Sequence, residues 1–564
     1  MDAKDSARVE PSGLESGESG EDRPKEPASV PTPPPAPGTT SPTLPASPVK
    51  HGVRFWGIIA ALCLLSFISA LDVAIVTTAL PTITRQIGGE TEYIWIADSF
   101  VLASSVLQPL LGQLADIIGR RLPLIASAAL FAVGSGVAGG ASNVAMLIAG
   151  RTVQGVGAGG LYVLLDIICC DLVPLRERGK YLGILLSWAG IGAAVGPGVG
   201  GALAEKDWRW IFYLNIPICG VALGIILAFM RVKTGQKGSY KFRQIDYLGN
   251  LIFIPSITAF LLGLFIGGVS YPWSSWHVVL PLVLGAVGWA AFHLQQHFTS
   301  TPSIPSRLFA NRTSATAYFL TFLSSTIVQM ISYFMPVYFQ AVQATTVLDS
   351  GTYYLPFAFG TLAFAVVSGA LLSHFGAYRP LHAASFALSA VGFGLFTLLT
   401  DQSPKVMWAW FELIASMGTG AILSVLLPAV MAALPESDVA AASAAYCFIR
   451  TFGYIWGVTI ASLVFNAQFN RNLGVISDPT LRDMLKDGAA YAFASQAHAA
   501  KEILLGTNPG LWNEIVSVYI KSLNTIWWVG LGISILGFFC VSLERGLELR
   551  RTLETEYGID ESKS

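Results

Sequence analysis

Residues 55–80 read Phe-Trp-Gly-Ile-Ile-Ala-Ala-Leu-Cys-Leu-Leu-Ser-Phe-Ile-Ser-Ala-Leu-Asp-Val-Ala-Ile-Val-Thr-Thr-Ala-Leu, an apolar run broken by one carboxylate, Asp72. As a helix this stretch extends about 39 Å at 1.5 Å per residue, more than the ~30 Å hydrocarbon core of a bilayer. In hydrocarbon every backbone N–H and C=O needs a protein partner, which a helix supplies from within itself. The residues do not alternate apolar with polar, so a barrel strand is excluded. A carboxylate at mid-span costs ~2.5–3.5 kcal/mol on insertion scales, which marks Asp72 as a functional candidate.

Thirteen stretches of the same character follow. The spans expected are 55–80, 93–115, 122–141, 145–170, 179–203, 209–230, 246–268, 275–297, 314–341, 350–373, 379–400, 406–434, 440–467 and 523–543. They describe an all-α polytopic membrane protein with fourteen transmembrane helices. Composition agrees: 53% of residues are hydrophobic and 12% charged, against about 25% charged in a soluble domain. A net charge of −1 gives no basic field for nucleic acid. The six cysteines lie in apolar runs without metal-ligand spacing and read as buried structural thiols, so neither a metal nor a disulfide framework is expected. Residues 1–50 hold 11 of the 30 prolines and almost nothing apolar. That composition predicts a disordered tail, and without an apolar core segment it is not a cleaved signal peptide.

Lys and Arg in short loops set the orientation. Arg120, Arg121, Arg176, Arg178, Lys180, Arg231, Lys233, Lys237, Lys241, Arg243, Arg307, Arg312 and Arg379 fall on one side, against Arg85, Lys206, Arg209 and Lys405 on the other. The first side is read as cytoplasmic, with both termini there. The long segment 468–522 is then external, a packed cap or interfacial helix. The Asn311 sequon falls on the cytoplasmic side, where no glycan is expected.

Two pairs of stretches suggest an internal duplication. Gly112-Gln-Leu-Ala-Asp116-x-x-Gly119-Arg120-Arg121 closes the second span, and Gly369-Ala-Leu-Leu-Ser373-x-x-Gly376-x-Tyr-Arg379 closes the tenth. Arg151 precedes Gly157-Ala-Gly159 by six residues, as Glu412 precedes Gly418-Thr-Gly420. Glycines let the first of these loops turn tightly, and its carboxylate and guanidiniums suit a gate that pairs in one conformation and releases in another. Gly192, Gly196 and Gly200 share one helix face that admits a close neighbour, and Pro197 bends the helix. Gly155-x-Gly157-x-x-Gly160 satisfies a dinucleotide fingerprint but lies inside a span, which rejects that reading.

The loop string resembles the signature of the major facilitator superfamily. Leu71-Asp72-x-x-Ile75-Val76-x-x-Ala79-Leu80-Pro81, Arg151-x-x-Gln154-Gly155-x-Gly157, the Gly183/Gly192/Gly196-Pro197/Gly200-Gly201 pattern and Trp208-Arg209-Trp210-Ile211-Phe212-x-Leu214-Asn215-x-Pro217 are similar to its fourteen-span drug:proton antiporter branch, with a flavour of fungal multidrug and mycotoxin efflux pumps. The likeness covers nearly all of 55–545. Ser373, where the first repeat has Asp116, departs from it and implies a weaker second gate. The resemblance implies two six-helix bundles, 55–230 and 314–543, an inserted hairpin 246–297 and a cytoplasmic tail 544–564. It also implies that the fifth helix, carrying Gly183 to Gly201, is sealed against proton leak, and that helices one and four line a central cavity.

On that arrangement Asp72 and Arg151, at similar depth, are the expected proton-coupling pair. Gln154, Asp166, Trp188, Gln329, Tyr338 and Glu412 are the expected cavity residues. Arg450 must face protein or water. The function expected is proton-driven export, by a monomer in the plasma membrane, of a hydrophobic or amphipathic drug, toxin or secondary metabolite. The alternative within the same fold is a vacuolar basic amino-acid or siderophore-iron carrier. The sequence has no cofactor motif, nucleophile elbow or Walker loop, so an enzyme or ATP-driven pump is not expected.

Overall fold

Apolar sequence at helical length dictates long helices, and helices are what the chain forms. The computed structural model describes residues 52–87, 93–230, 244–268 and 271–553. The expected disordered tail, the basic stretch 231–243 and the end of the C-terminal tail lie outside them. The first half comprises α1 (Val53–Ile87), α2 (Tyr93–Val106), α3 (Gln108–Ile118), α4 (Arg121–Gly139), α5 (Val144–Leu172), α6 (Leu175–Lys206), α7 (Arg209–Tyr213) and α8 (Asn215–Phe229). Two helices, α9 (Tyr247–Ile266) and α10 (Trp276–Gln296), then pack against each other.

The second half begins with the short α11 (Arg307–Ala310). It continues through α12 (Arg312–Val337), α13 (Val347–Tyr353), α14 (Leu355–Phe375), α15 (Tyr378–Phe396), α16 (Lys405–Leu423), α17 (Leu426–Met431) and α18 (Val439–Asn472). After α19 (Pro479–Leu485), α20 (Ala489–Phe493) and α21 (Ala497–Thr507) it closes with α22 (Pro509–Cys540).

Among the described residues eleven helical segments are long and apolar enough to cross a membrane, or thirteen if two bent pairs each count as one span. Fourteen were expected from hydropathy. The shortfall lies at α15, whose first turn Tyr378-Arg-Pro-Leu-His382 is polar. The two bends have local causes. α2 meets α3 at 43° just before Pro109, and α6 turns by 41° between Gly196 and Gly198, where Pro197 has no N–H to donate. The last helix starts at Pro509 rather than 523. Glu514 and Lys521 interrupt the hydropathy there, yet Trp512, Ile515, Tyr519, Leu523 and Ile526 keep one buried face at helical spacing. The region expected as a cap is helical, and the Tyr519 hydroxyl pins it by donating to Ala490 O at 2.6 Å.

The duplication appears in the packing. A methyl added at Gly157 of α5 would meet Phe131 N and Ser127 O of α4 at 2.4 and 2.6 Å; one added at Gly418 of α16 would meet Ser389 N and Ser385 O of α15 at 2.4 and 2.5 Å. Gly159 likewise abuts Ser104 O of α2 and Gly420 abuts Thr361 O of α14, each at 2.3 Å. The two glycine strings serve the same close helix crossings in each half, as a repeated unit demands. The halves touch along α6 and α14 and along α3 and α18. The ends of the helices carrying Arg120, Arg176, Arg178, Arg307 and Arg379 are called the basic face below.

Candidate functional site

Asp72 lies on α1 and is fully buried. Burial of an ion demands compensation, and three donors from two other helices provide it. Arg151 Nη1 of α5 donates to Asp72 Oδ2 at 2.5 Å, while Gln154 Nε2 of α5 and Asn215 Nδ2 of α8 donate to Oδ1, each at 2.7 Å. Both amides also donate to the Ser135 hydroxyl of α4, at 2.8 and 3.1 Å. Arg151 further donates to Gln154 Oε1 at 2.7 Å and to the Ile96 carbonyl of α2 at 3.3 Å, with its guanidinium 4.2 Å from the Phe100 ring centroid. One carboxylate therefore ties together five helices of the first half. The structure brings Asp72 and Arg151 together and draws Gln154 into the same cluster. Asn215 and Ser135 were not anticipated as members.

The glycine face of α6 turns toward the helix that carries this acid. Methyls at Gly192 and Gly196 would meet Phe67 O and Ala74 Cβ of α1 at 2.4 Å, and one at Gly200 would meet Ile75 O at 3.0 Å. Gly183 points the other way, to Ala365 O of α14 at 2.9 Å, and Gly201 faces open space. These contacts pack α6 closely against α1 on either side of Asp72.

Between the halves lies a second polar layer. Asp166 of α5 accepts from the Cys447 thiol of α18 at 3.1 Å and pairs with Arg450 at 3.5 Å. The Arg450 guanidinium sits 5.1 Å from the Tyr446 ring centroid. Tyr162 and Tyr454 lie within electrostatic reach of Arg450 from opposite halves. Farther along, Asp98 of α2 and Gln329 of α12 lie close to the Tyr333 hydroxyl of α12. Trp188 of α6 is 41% exposed and meets Phe67 edge-on. Tyr338 is buried away from this layer and donates to Thr400 O at 2.8 Å. Glu412 of α16 is fully buried, and neither carboxylate oxygen has a hydrogen-bond partner.

The basic face is where the halves are tied. Arg178 Nη2 donates to Glu436 Oε2 at 2.6 Å, and Arg550 reaches the other oxygen of Glu436 at 3.4 Å. Arg176 donates to the carbonyls of Ser373, at 2.7 Å, and His374, and its N–H donates to Arg550 O at 3.1 Å. Gln108 donates to Thr451 at 3.2 Å. The expected gate motif contributes differently. Arg120 pairs within the first half, to Asp116 at 2.9 Å and Asp171 at 2.8 Å, and Arg121 donates to Leu227 O at 3.0 Å. Gly119, at φ 91°, makes the turn that a side chain would strain. Gly112 is the motif's contact across the halves, since a methyl there would meet Ala444 Cβ of α18 at 2.3 Å. The cross-half hydrogen bonds and ion pairs found among the described residues all lie at this face or at mid-depth.

Known proteins share both the sequence and the fold. The profile of the Major Facilitator Superfamily matches residues 62–458. The chain is 45% identical to the MFS efflux transporter aclA of Aspergillus oryzae, over 91% of this chain and 93% of that one. It is 42% identical to the efflux pump FUS6 of Gibberella fujikuroi, over 92% and 93%. Among solved structures it resembles the human organic anion transporter MFSD10, with a TM-score of 0.55 at 14% identity over 87% of this chain and all of that one. It also resembles the proton:xylose symporter XylE, with a TM-score of 0.52 at 13% identity over 80% and 95%.

Proposed function

The chain belongs to the major facilitator superfamily, a family of membrane transporters and not enzymes, and from that premise we propose that it couples inward proton flow to export of a hydrophobic or amphipathic small molecule. The observation that carries the reading is the buried Asp72 cluster. While ionised, Asp72 holds α2, α4, α5 and α8 to α1. A proton on Asp72 removes the charge that fixes Arg151, and breaking such a buried pair is worth about 3–5 kcal/mol. Helix rearrangement is thereby linked to protonation. The drive is adequate: about 1.4 kcal/mol per pH unit and ~2.3 kcal/mol per 100 mV.

Export as the direction rests on the relatives, named as efflux pumps, and on the close α6–α1 contact. The cargo site is the layer between the halves, where Trp188, Gln329, Tyr333 and Tyr454 offer aromatic surface and few hydrogen bonds. The basic face is the cytoplasmic one, both termini lie there, and the protein works as a monomer in the plasma membrane. Halves 55–230 and 314–543 rock about the cargo, with 246–297 as an inserted hairpin. Asp116, Arg120 and Arg121 brace the loop beside the gate. Of the four acids a carrier of basic amino acids could use, Asp72 and Asp166 are already paired with Arg151 and Arg450, which leaves Asp98 and Glu412 to hold a cation and weakens that alternative.

Asp72→Asn tests the proposal. Liposomes holding the variant are to show no acceleration of cargo movement by an imposed pH gradient, while wild type responds. Gradient-driven transport at the wild-type rate in the variant refutes it.

A further inference from the structure

Glu412 is a buried acid that the coupling cluster does not use. It stands seven residues into α16 from Lys405, about 10 Å along the helix axis. The groups packed around it are known. On α14, the Phe357 backbone N–H, in the first turn, faces the carboxyl without reaching hydrogen-bonding geometry. Tyr354 before that turn is the titratable neighbour, and its hydroxyl donates to Ser332 of α12 at 2.8 Å. On α15, Gly392 packs against Ala415, one turn along α16 from Glu412. On α16 itself, Lys405 is turned to the Tyr353 ring at 4.7 Å. Of the remaining ionisable groups of α12, α14 and α15, Arg312, Tyr318, His374, Tyr378, Arg379 and His382 belong to the basic ends of their helices, and Tyr333 lies beside Asp98. Among the described residues Glu412 thus has neither a cation nor a hydrogen bond, and a bare carboxylate in this setting costs several kcal/mol.

The cover over Glu412 is part of the moving interface. Phe357 belongs to α14, the helix of the second half against which α6 of the first half packs. Gly190 meets Leu362, Gly183 meets Ala365 O, and Gly369 abuts Gly179 O. The contact at Leu362 falls little more than one turn from Phe357. A shift of α6 along α14 therefore displaces the first turn of α14, whose Phe357 N–H faces the Glu412 carboxyl. We propose that Glu412 is a second proton-binding site, in the half opposite Asp72, loaded in the conformation described and emptied when α14 moves. This deepens the export reading and rests on it: two protons are carried per cycle, one on each half.

The test needs no cargo. Infrared spectra of the full-length protein in liposomes, recorded in H2O and D2O at neutral pH, report protonated carboxyls by their carbonyl stretch. The expected band is present in wild type and Asp72→Asn, absent in Glu412→Gln, and weakened in Arg178→Ala, which releases the tie between the halves. A band unchanged in Glu412→Gln overturns the assignment. A band lost in Glu412→Gln but unmoved by Arg178→Ala makes the proton a permanent structural one and overturns the transport role. Should Glu412→Gln fail to fold, Glu412→Asp decides: a displaced band supports the site and an unmoved one refutes it. Failure of the Asp72 reading leaves this band untouched, so the two can fail separately.

Discussion

The two repeated loops at the basic face began from one pattern and are held in different ways. In the first, Arg120 is 4% exposed and clamps Asp116 and Asp171, all within its own half. In the second, Ser373 and Ala377 stand where the first has Asp116 and Arg120, and Arg379 is exposed. Other parts of the chain hold this loop. Arg176 of the first half binds the carbonyls of Ser373 and His374. The segment after α22 runs beneath it: Glu544 Oε2 lies 2.9 Å from His382 Nδ1, the Tyr378 hydroxyl donates to Arg545 O, and Leu547 N donates back to that hydroxyl at 3.2 Å. Ser373 suggested a weaker gate. What the loop lacks is internal bracing; its ties run to the other half and to the C-terminal segment. The ties to Arg176 cross between the halves and break in any rearrangement that parts them, whereas the ion pairs of the first loop stay within one half. The first loop is a brace and the second is a latch.

Cutting the latch at its strongest link gives the largest effect. Arg178 is fully buried and joins the halves through Glu436, and a buried pair broken on one side costs about 3–5 kcal/mol. Spin labels at Lys180 and Ser437, both exposed on opposite halves, report the separation. Arg178→Ala is expected to shift the balance of closed to open by about a hundredfold or more. An unchanged distance distribution removes Arg178 from the latch.

Cutting the brace has a comparable energy and a different readout. Arg120→Ala strands Asp171, which is 4% exposed, at a cost of about 3 kcal/mol, but its bonds to Asp116, Asp171 and Ala115 O lie inside the first half. The melting temperature falls, and the separation between Lys180 and Ser437 stays as in wild type. A change in that separation equal to the one caused by Arg178→Ala collapses the distinction between the loops.

How far the sequence foretold this depends on what each residue costs in a bilayer. Helix positions were legible because apolar length is obligatory, and Asp72 and Arg151 because charge at mid-span is expensive. Gln154, expected in the cavity, stands three residues from Arg151 and shares that residue's helix face, which is what places it in the Asp72 cluster. Asn215 stands in a motif stretch that assigns it no partner, and Ser135 carries no signal, since uncharged polar groups are common in spans. Arg450 was recognisable as a group needing company, but Asp166 and Cys447 come from elements that no local pattern pairs. The latch was illegible for the same reason. Residues 544–550 read as an ordinary charged tail, and only the fold places Glu544 against His382.

That contact offers the finest cut. Glu544 is 1% exposed and His382 fully buried, so Glu544→Ala leaves the Nδ1 of His382 facing no acceptor. A buried polar group without its partner costs about 1–3 kcal/mol, less than the Arg178 pair, and the Arg176 ties to Ser373 and His374 remain. The expected outcome is a modest fall in melting temperature together with a shift of about tenfold in the closed-to-open balance between Lys180 and Ser437. The pairing of the two readouts matters more than either alone. A fall in stability with no change in separation makes the C-terminal segment a second brace. A change in separation places it in the latch, because the second half alone gains nothing from a tie that loosens only when the first half moves away.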